Sequence, residues 1–526
     1  MAASTTKTLS RGWNCLPSEV QDMVLERCTW QTHSEARLLA GTNQLAALTT
    51  VCRDWKDFFE GKLFQRLTLK TEADIQTLAQ LVQGRRRAHV KWIWLRIELP
   101  MYDCQQCHRL ETRDDIQIQK ATFTNCVWNL FDVLSTWKIK DVRNDGLTLE
   151  LSAHSPSDAH HFNKDLRFRL HDTAWDRWDD RPVLAHNDPF HGWQYGKQVK
   201  TIPRDAKYRL FGSGLRFDYN LPSVRRLHMR LPKVSVVASL VIRRQFPRAI
   251  AARKALCPIF NSLTRLSGFL YEPWRGPTSV YQKSHDWHHA FLAREALKAR
   301  RKTLKKVSIF ESHDEVFNRG RSRIDTSQHR DVGSSSRGLA RTSHHLEELH
   351  VANNIDAYEF FYAFQPRALP EQKIWMAWKN LKNLSLTTQH LAPGHTGLII
   401  LMAAEAAKTM PQLQIMELWN YSRSRDIPVA CIFRFRRWET GASVELVCTW
   451  PAGFKITAET KAAWGRVASA HRPLPLQWKE SCWGAGVIDG EYSVLSQLEL
   501  VGHMLNPVSL RQIAREDQRR REGKAF

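Results

Sequence analysis

The chain has 526 residues, 43% hydrophobic and 25% charged, which is more than one comfortable core can hold and excludes a disordered polymer. Its longest apolar run, Leu398–Ala404, is too short to span a bilayer, and ten irregularly spaced cysteines with no export signal imply free thiols in a reducing compartment, cytoplasm and/or nucleus. Seventy-seven Lys and Arg against 53 Asp and Glu give a formal charge of +24, which favours polyanionic partners or simply serves solubility.

In chain order, "LPSEVQDMVLERC", Leu16–Cys28, reads as a helix opening. Pro17 suits a first turn, and Glu19 suits the positive end of the helix dipole. Val20, Met23, Val24 and Arg27 or Cys28 fall on one helical face. A polar stretch with room for a helical turn at Ala36–Ala40 follows. Then "QLAALTTVCRDWKDFFEGKLF" repeats the pattern through Leu45, Leu48, Val51 or Cys52, and Trp55, with Gly61 as a stop.

The segment type then changes. "FQRLTLK" alternates as a strand, "TEAD" at Thr71–Asp74 caps a helix carrying Ile75, Leu78 and Val82, and "WIWLRIELP" returns to strand up to Pro100. Leu67 and Leu95 lie 28 positions apart, about one leucine-rich repeat. The loose phrase L-x-x-L-x-L recurs at Ser223–Met229, Ser262–Leu270, Thr303–Phe310, His345–Val351, Asn380–Leu386 and Gln412–Leu418. Its central residues, Leu227, Leu266, Val307, Leu349, Leu384 and Met416, step by 39, 41, 42, 35 and 32. Such a phrase lets two strand residues point inward while the first leucine packs beneath them, and it implies a curved stack of strand–helix units. The steps are irregular and the asparagine-ladder position is missing, so an α/β domain whose strands merely look alike stays open.

"TGLIILMAAEAAKTMP" reads as a buried helix, and "CIFRFRRWE" and "ASVELVCTW" as strands. Two stretches interrupt the stack: residues 152–201, rich in His, Asp and Trp, and the serine-rich basic run Arg319–His345, expected to be a mobile loop. Residues 511–526 read as a basic, fraying tail.

Little catalytic chemistry is visible. "CQQCH", Cys104–His108, matches haem attachment formally, but that route needs export. As half of a zinc site it lacks a second ligand pair, for which Cys126 and "SHDWHH" near His285 are unevenly placed, so no metal and no cofactor is expected. No nucleophile elbow, zincin pair or P-loop occurs, and "GAGVIDG" misses the dinucleotide spacing, so the chain does not read as an enzyme. Basic runs at Arg85–Arg87, "IRRQFPRAIAARK" and Leu292–Lys306 suggest solvated stripes able to hold phosphates. A nucleic-acid- or chromatin-associated protein is therefore the alternative reading, although no known module accompanies the stripes.

Leu16-Pro17 with Glu19-Val20, the helix through Leu25, and the closing Val51-Cys52-Arg53-Asp54-Trp55 resemble an F-box. The spacing between the two ends is longer than that family's usual connection. The resemblance implies a small three-helix module over residues 12–61 that docks on the Skp adaptor of cullin–RING ubiquitin ligases. Leu16, Pro17, Val20, Leu25, Leu45, Leu48, Val51 and Cys52 would face the adaptor, with Met23 and Trp55 in the module's own core. Phrases such as "WIWLRIELPMYDCQQC" and "MPQLQIMELWN" extend the similarity to fungal F-box proteins of unknown substrate. The expected fold is thus α/β: the F-box, then an irregular leucine-rich-repeat-like solenoid over 62–510. The concave face of that solenoid would hold a protein substrate, acidic or phosphorylated given the charge, with no membrane involved.

Overall fold

The computed structural model describes residues 13, 15–35, 41–162, 187–212, 214–226, 229–275, 302–312, 330–366, 377–392, 396–424, 427–450, 456–470 and 475–521. Three helices open it: α1 Ser18–Glu35, α2 Gly41–Leu48 and α3 Arg53–Leu63. The expected turn at Ala36–Ala40 lies outside the described residues, and α1 runs on to Glu35.

A twelve-stranded sheet follows, built from β1 Arg66–Leu69, β2 Trp92–Glu98, β3 Leu147–His154, β6 Val237–Ile242, β7 Gly268–Tyr271, β8 Lys306–Phe310, β9 Glu348–Ala352, β10 Asn383–Thr387, β11 Ile415–Ser424, β12 Ile427–Trp438, β13 Gly441–Cys448 and β14 Leu476–Cys482. A separate two-strand ribbon, β4 Trp193–Gln194 and β5 Lys197–Gln198, lies between β3 and β6 in the chain. Spatial order in the large sheet follows chain order throughout. Pairing is parallel from β1 to β11, antiparallel for β11–β12 and β12–β13, and parallel again for β13–β14. The fold is a mixed α/β structure on a large, mostly parallel sheet.

The recurring phrase explains much of this order. Val307 pairs with Leu349, Leu349 with Leu384, and Leu384 with Met416, so the repeated position forms one continuous row across four strands. Three residues earlier, Leu304, Leu346, Leu381 and Leu413 are all buried beneath the strands. The phrase at Ser262–Leu270 is offset: Phe269, rather than Leu266, pairs with Val307, and Leu266 takes the place of the leucine beneath. Ser223–Met229 is corrected outright. Pro222–Arg226 is a short helix, started by its proline, and Leu227 lies outside the described residues.

Strand alternation separates the two faces. In β3, Leu147, Leu149, Leu151 and Ala153 enter the main core, while Glu150, Ser152 and His154 are buried on the opposite face. The core side is covered by helices including Arg113–Ser135, Thr396–Ala407 and Ala458–Ser469. Thr71 caps its helix through a reciprocal bond with Asp74, as the sequence indicates.

The opposite face is covered by the chain's own C-terminal segment. Helices Glu491–Leu495, Val501–Met504 and Pro507–Arg521 set Val494, Leu495, Leu498, Met504, Leu505 and Ile513 against Phe310, Ala352, Trp419, Tyr421 and Ile432. Buried carboxylates fasten the segment. Glu417 accepts from the backbone of Glu499 (3.0 Å) and Leu500 (3.1 Å), and Glu272 accepts from the backbone N–H of Asn506 (2.7 Å) and the hydroxyl of Ser509. Residues 511–521 are therefore a docked helix and not a fraying tail, because Ile513 has an apolar seat and Asp517 accepts from Tyr492 N–H at 2.6 Å. Likewise, part of the loop expected at 319–345 is the helix Arg330–Thr342, whose Leu339 and Ala340 are buried; residues 319–329 lie outside the described residues.

Candidate functional site

Among the described residues, the N-terminal helices bury few apolar side chains. Their core is Leu25, Leu45 and Phe59, with Trp13, Cys28, Leu48, Trp55, Phe58 and Leu63 packed around it. Half-buried Trp55 meets Trp13 edge-on at 5.5 Å and Phe59 at 5.6 Å, packing against that core. Gln21 donates to the carbonyls of Trp13 (2.9 Å) and Leu16 (3.0 Å), and Lys62 on α3 pairs with Glu26 on α1 at 2.8 Å.

The face spaced as Val20, Met23 and Val24 is real, but it faces solvent. Gln21, Leu25 and Cys28, which share the adjacent face, turn inward instead. Met23 is 72% exposed, so its place in the core is corrected, and Leu25 (4%) and Leu45 (8%) are core residues with no surface to offer a partner. Leu48 is half-buried against that core. Leu16, Pro17, Val20, Val51 and Cys52 are exposed, with Val51 at 56%. What remains open among the described residues is a set of aliphatic side chains at the start of α1 and at the α2–α3 junction.

In the described parts of the basic runs, many of the cations are ion-paired. Arg85 pairs with Asp57 (2.8 Å) and Arg86 with Glu60 (2.8 Å), so these two fasten α3 to the sheet domain, while Arg87 pairs with Asp141 (2.9 Å) within that domain. Burial raises the Glu60 carboxyl, but the hydrogen bond and charge of Arg86 outweigh it and hold the group below its ordinary value. In "IRRQFPRAIAARK", Arg243 pairs with Glu150 (2.5 Å), Arg244 with Glu516 (2.9 Å), and Arg248 with both Asp158 (2.8 Å) and Glu111 (2.6 Å), all three guanidiniums being buried. In Leu292–Lys306, Lys305 and Lys306 pair with Glu347 and Glu348, and residues 292–301 lie outside the described residues.

Past the C-terminal ends of β2 and β3, three excursions of the chain converge. The loop after β2 carries Cys104 and Cys107; Arg209 holds it by donating to the carbonyls of Gln106 and Arg109 (3.3 Å each) and stacking on Tyr102 at 4.6 Å. After β3, Ser155 and Asp158 cap a short turn that leads to His161. From the third excursion comes His191, in the turn Pro189–His191 capped by Asp188 and closed by Gly192 at φ 79°, where a Cβ would stand 2.7 Å from the Lys200 Cβ. The donor atoms of Cys104, Cys107, His161 and His191 all lie within 4.8 Å of one another. Burial pushes the Cys107 thiol up to about 12, with Cys104 beside it adding to the rise. Cys126, considered as a partner for the CxxC pair, sits in the main core, and "SHDWHH" lies outside the described residues. The histidine-rich composition of 152–201 was the signal for the true neighbours.

A second group joins Glu348, His350 and His503. Glu348 on β9 accepts from Lys306 on β8 (2.7 Å) and from His503 (3.1 Å), and the His503 contact ties the C-terminal segment to the sheet. Burial raises the Glu348 carboxyl, but His350, Lys306 and His503 together hold it well below its ordinary range. Among the described residues, no helix is long and apolar enough to cross a membrane.

No curated protein and no solved structure matches the chain. Residues 299–506 match a family model described as a family of unknown function, DUF6546. That span takes in β8 to β14 and the helix Val501–Met504 that packs back on β8 and β9.

Proposed function

We propose that the chain is a substrate-recognition subunit of a Skp–cullin–F-box ubiquitin ligase and that it does no covalent chemistry itself. The N-terminal helices dock on the Skp adaptor, the sheet domain carries cargo, and the other ligase subunits act on it. The observation that carries this reading is the exposure of Leu16, Val20, Met23, Val24 and Val51 on a module whose core is Leu25, Leu45 and Phe59. Exposed aliphatic side chains of this kind gain stability when a second polypeptide covers them.

The chain-ordered parallel strands and the row Val307–Leu349–Leu384–Met416 support an irregular leucine-rich-repeat-like solenoid as the cargo-bearing part. The cargo site is not the face opposite the main core across β8–β12, which the C-terminal segment occupies. The net charge of +24 favours acidic or phosphorylated cargo.

The test is capture of purified Skp adaptor by the full chain. Wild type binds, and Leu16→Asp with Val51→Asp abolishes capture without unfolding, because both positions face solvent. A wild type that captures no adaptor, or a double variant that captures it equally well, overturns the proposal.

A further inference from the structure

We infer that Cys104, Cys107, His161 and His191 form a structural zinc site that ties three excursions of the chain together beyond the ends of β2 and β3. Cys104 Sγ lies 3.3 Å and Cys107 Sγ 3.5 Å from His191 Nε2. In a tetrahedral site with zinc–sulfur bonds of about 2.3 Å and zinc–nitrogen bonds of about 2.05 Å, a sulfur–nitrogen edge measures about 3.6 Å. The measured edges fit a cation at the centre.

The donor chemistry selects the ion. Two thiolates and two imidazoles make a neutral complex with a dication, and their softness favours zinc over magnesium or calcium. The CxxC spacing presents both sulfurs from one loop, with Cys107 Sγ 3.0 Å from the Cys104 carbonyl oxygen.

An independent observation points the same way. Asp188 Oδ2 lies 2.7 Å from His191 Nδ1, so that nitrogen donates to the carboxylate and Nε2 turns its lone pair toward the sulfurs. This carboxylate–histidine arrangement is the one that orients imidazole ligands around zinc. Asp188 is itself fixed, since it exchanges backbone hydrogen bonds of 2.8 and 2.9 Å with Trp193. Four protein ligands fill a tetrahedral ion and leave no open position, which makes the site structural rather than catalytic.

There is also something for the metal to stabilise. Among the described residues the local apolar cluster comprises Cys107, Phe162, Ile202, Ala206, Leu210, Phe211 and Trp274, with loops drawn from distant parts of the chain meeting at it. One ion bonded to all three excursions adds a direct tie between them.

The experiment measures metal in the full chain purified without added chelator, followed by X-ray absorption at the zinc edge. One zinc per chain with two sulfur and two nitrogen neighbours is expected. Cys104→Ser with Cys107→Ser loses the zinc, Asp188→Asn weakens binding 10- to 100-fold against a chelator, and the control His503→Gln keeps it. A chain without zinc, a Cys104–Cys107 disulfide in reducing buffer, or a first shell other than two sulfurs and two nitrogens overturns the site. Because the absorption measurement uses wild type, an insoluble cysteine variant does not spare the inference.

Discussion

Replacing Glu417 by Ala removes the carboxylate that holds the C-terminal segment to β11. Glu417 is fully buried and accepts from Arg434 Nε at 2.6 Å and from the Glu499 and Leu500 N–H groups at 3.0 and 3.1 Å. Breaking a buried pair by deleting one partner costs about 3–5 kcal/mol, since the surviving charge stays desolvated. Arg434 keeps Glu445 at 2.8 Å, which places the cost at the lower end, about 3 kcal/mol. At 1.4 kcal/mol per tenfold, the amides of Glu491–Arg521 then exchange with solvent roughly 150-fold faster. The assay is hydrogen exchange read by mass spectrometry, with β1 and β2 as the internal reference. Replacing Glu417 and Arg434 together by Met restores only part of the protection: the stranded guanidinium is gone, but the Glu499 and Leu500 amides still lack their acceptor. Unchanged exchange in that segment, or equal acceleration in β1 and β2, refutes the reasoning.

Two further expectations concern β3. Burial, followed by the Arg96 charge, lowers His154 from 6.5 to about 4. Between pH 6.5 and about 4 the unfolded chain therefore takes up a proton that the folded one refuses; stability falls with acidification by roughly 3 kcal/mol in all, and His154→Gln flattens urea midpoints across that window. Gly146, at φ 72° before β3, would set a Cβ 2.7 Å from the Ala238 Cβ. Gly146→Ala thus loses about 1–3 kcal/mol in urea unfolding through backbone strain, with the clash in addition, and Ala238→Gly recovers only the clash.

The sheet was legible where its signal is local. The repeated leucine phrase marks β8, β9, β10 and β11, because a strand and the leucine beneath it are only three residues apart. At Ser223–Met229 the same letters follow a proline, and the helix start prevailed. In the N-terminal helices, periodicity located a face through Val20, Met23 and Val24 but carried no sign saying which way it points. The neighbouring Gln21–Leu25–Cys28 face turns inward, with Leu25 buried and the Gln21 amide donating to two carbonyls. The Cys–His group was half-visible: "CQQC" announces itself, whereas His161 and His191 are brought to it only by the folding of separate loops. Nor does a run of arginines disclose that its counter-charges, Glu150, Asp158 and Glu516, lie scattered through the chain.

The segment lying across β8–β12 bears on the order of assembly during synthesis. Glu272 and Glu417 leave the ribosome well before the amides of Glu499, Leu500 and Asn506 that will satisfy them. Until those amides emerge, a growing chain displays Phe310, Trp419, Tyr421 and Ile432 as a bare aromatic and aliphatic shelf. Chaperone occupancy should therefore persist through β14 and end only once Pro507–Arg521 has docked on the sheet.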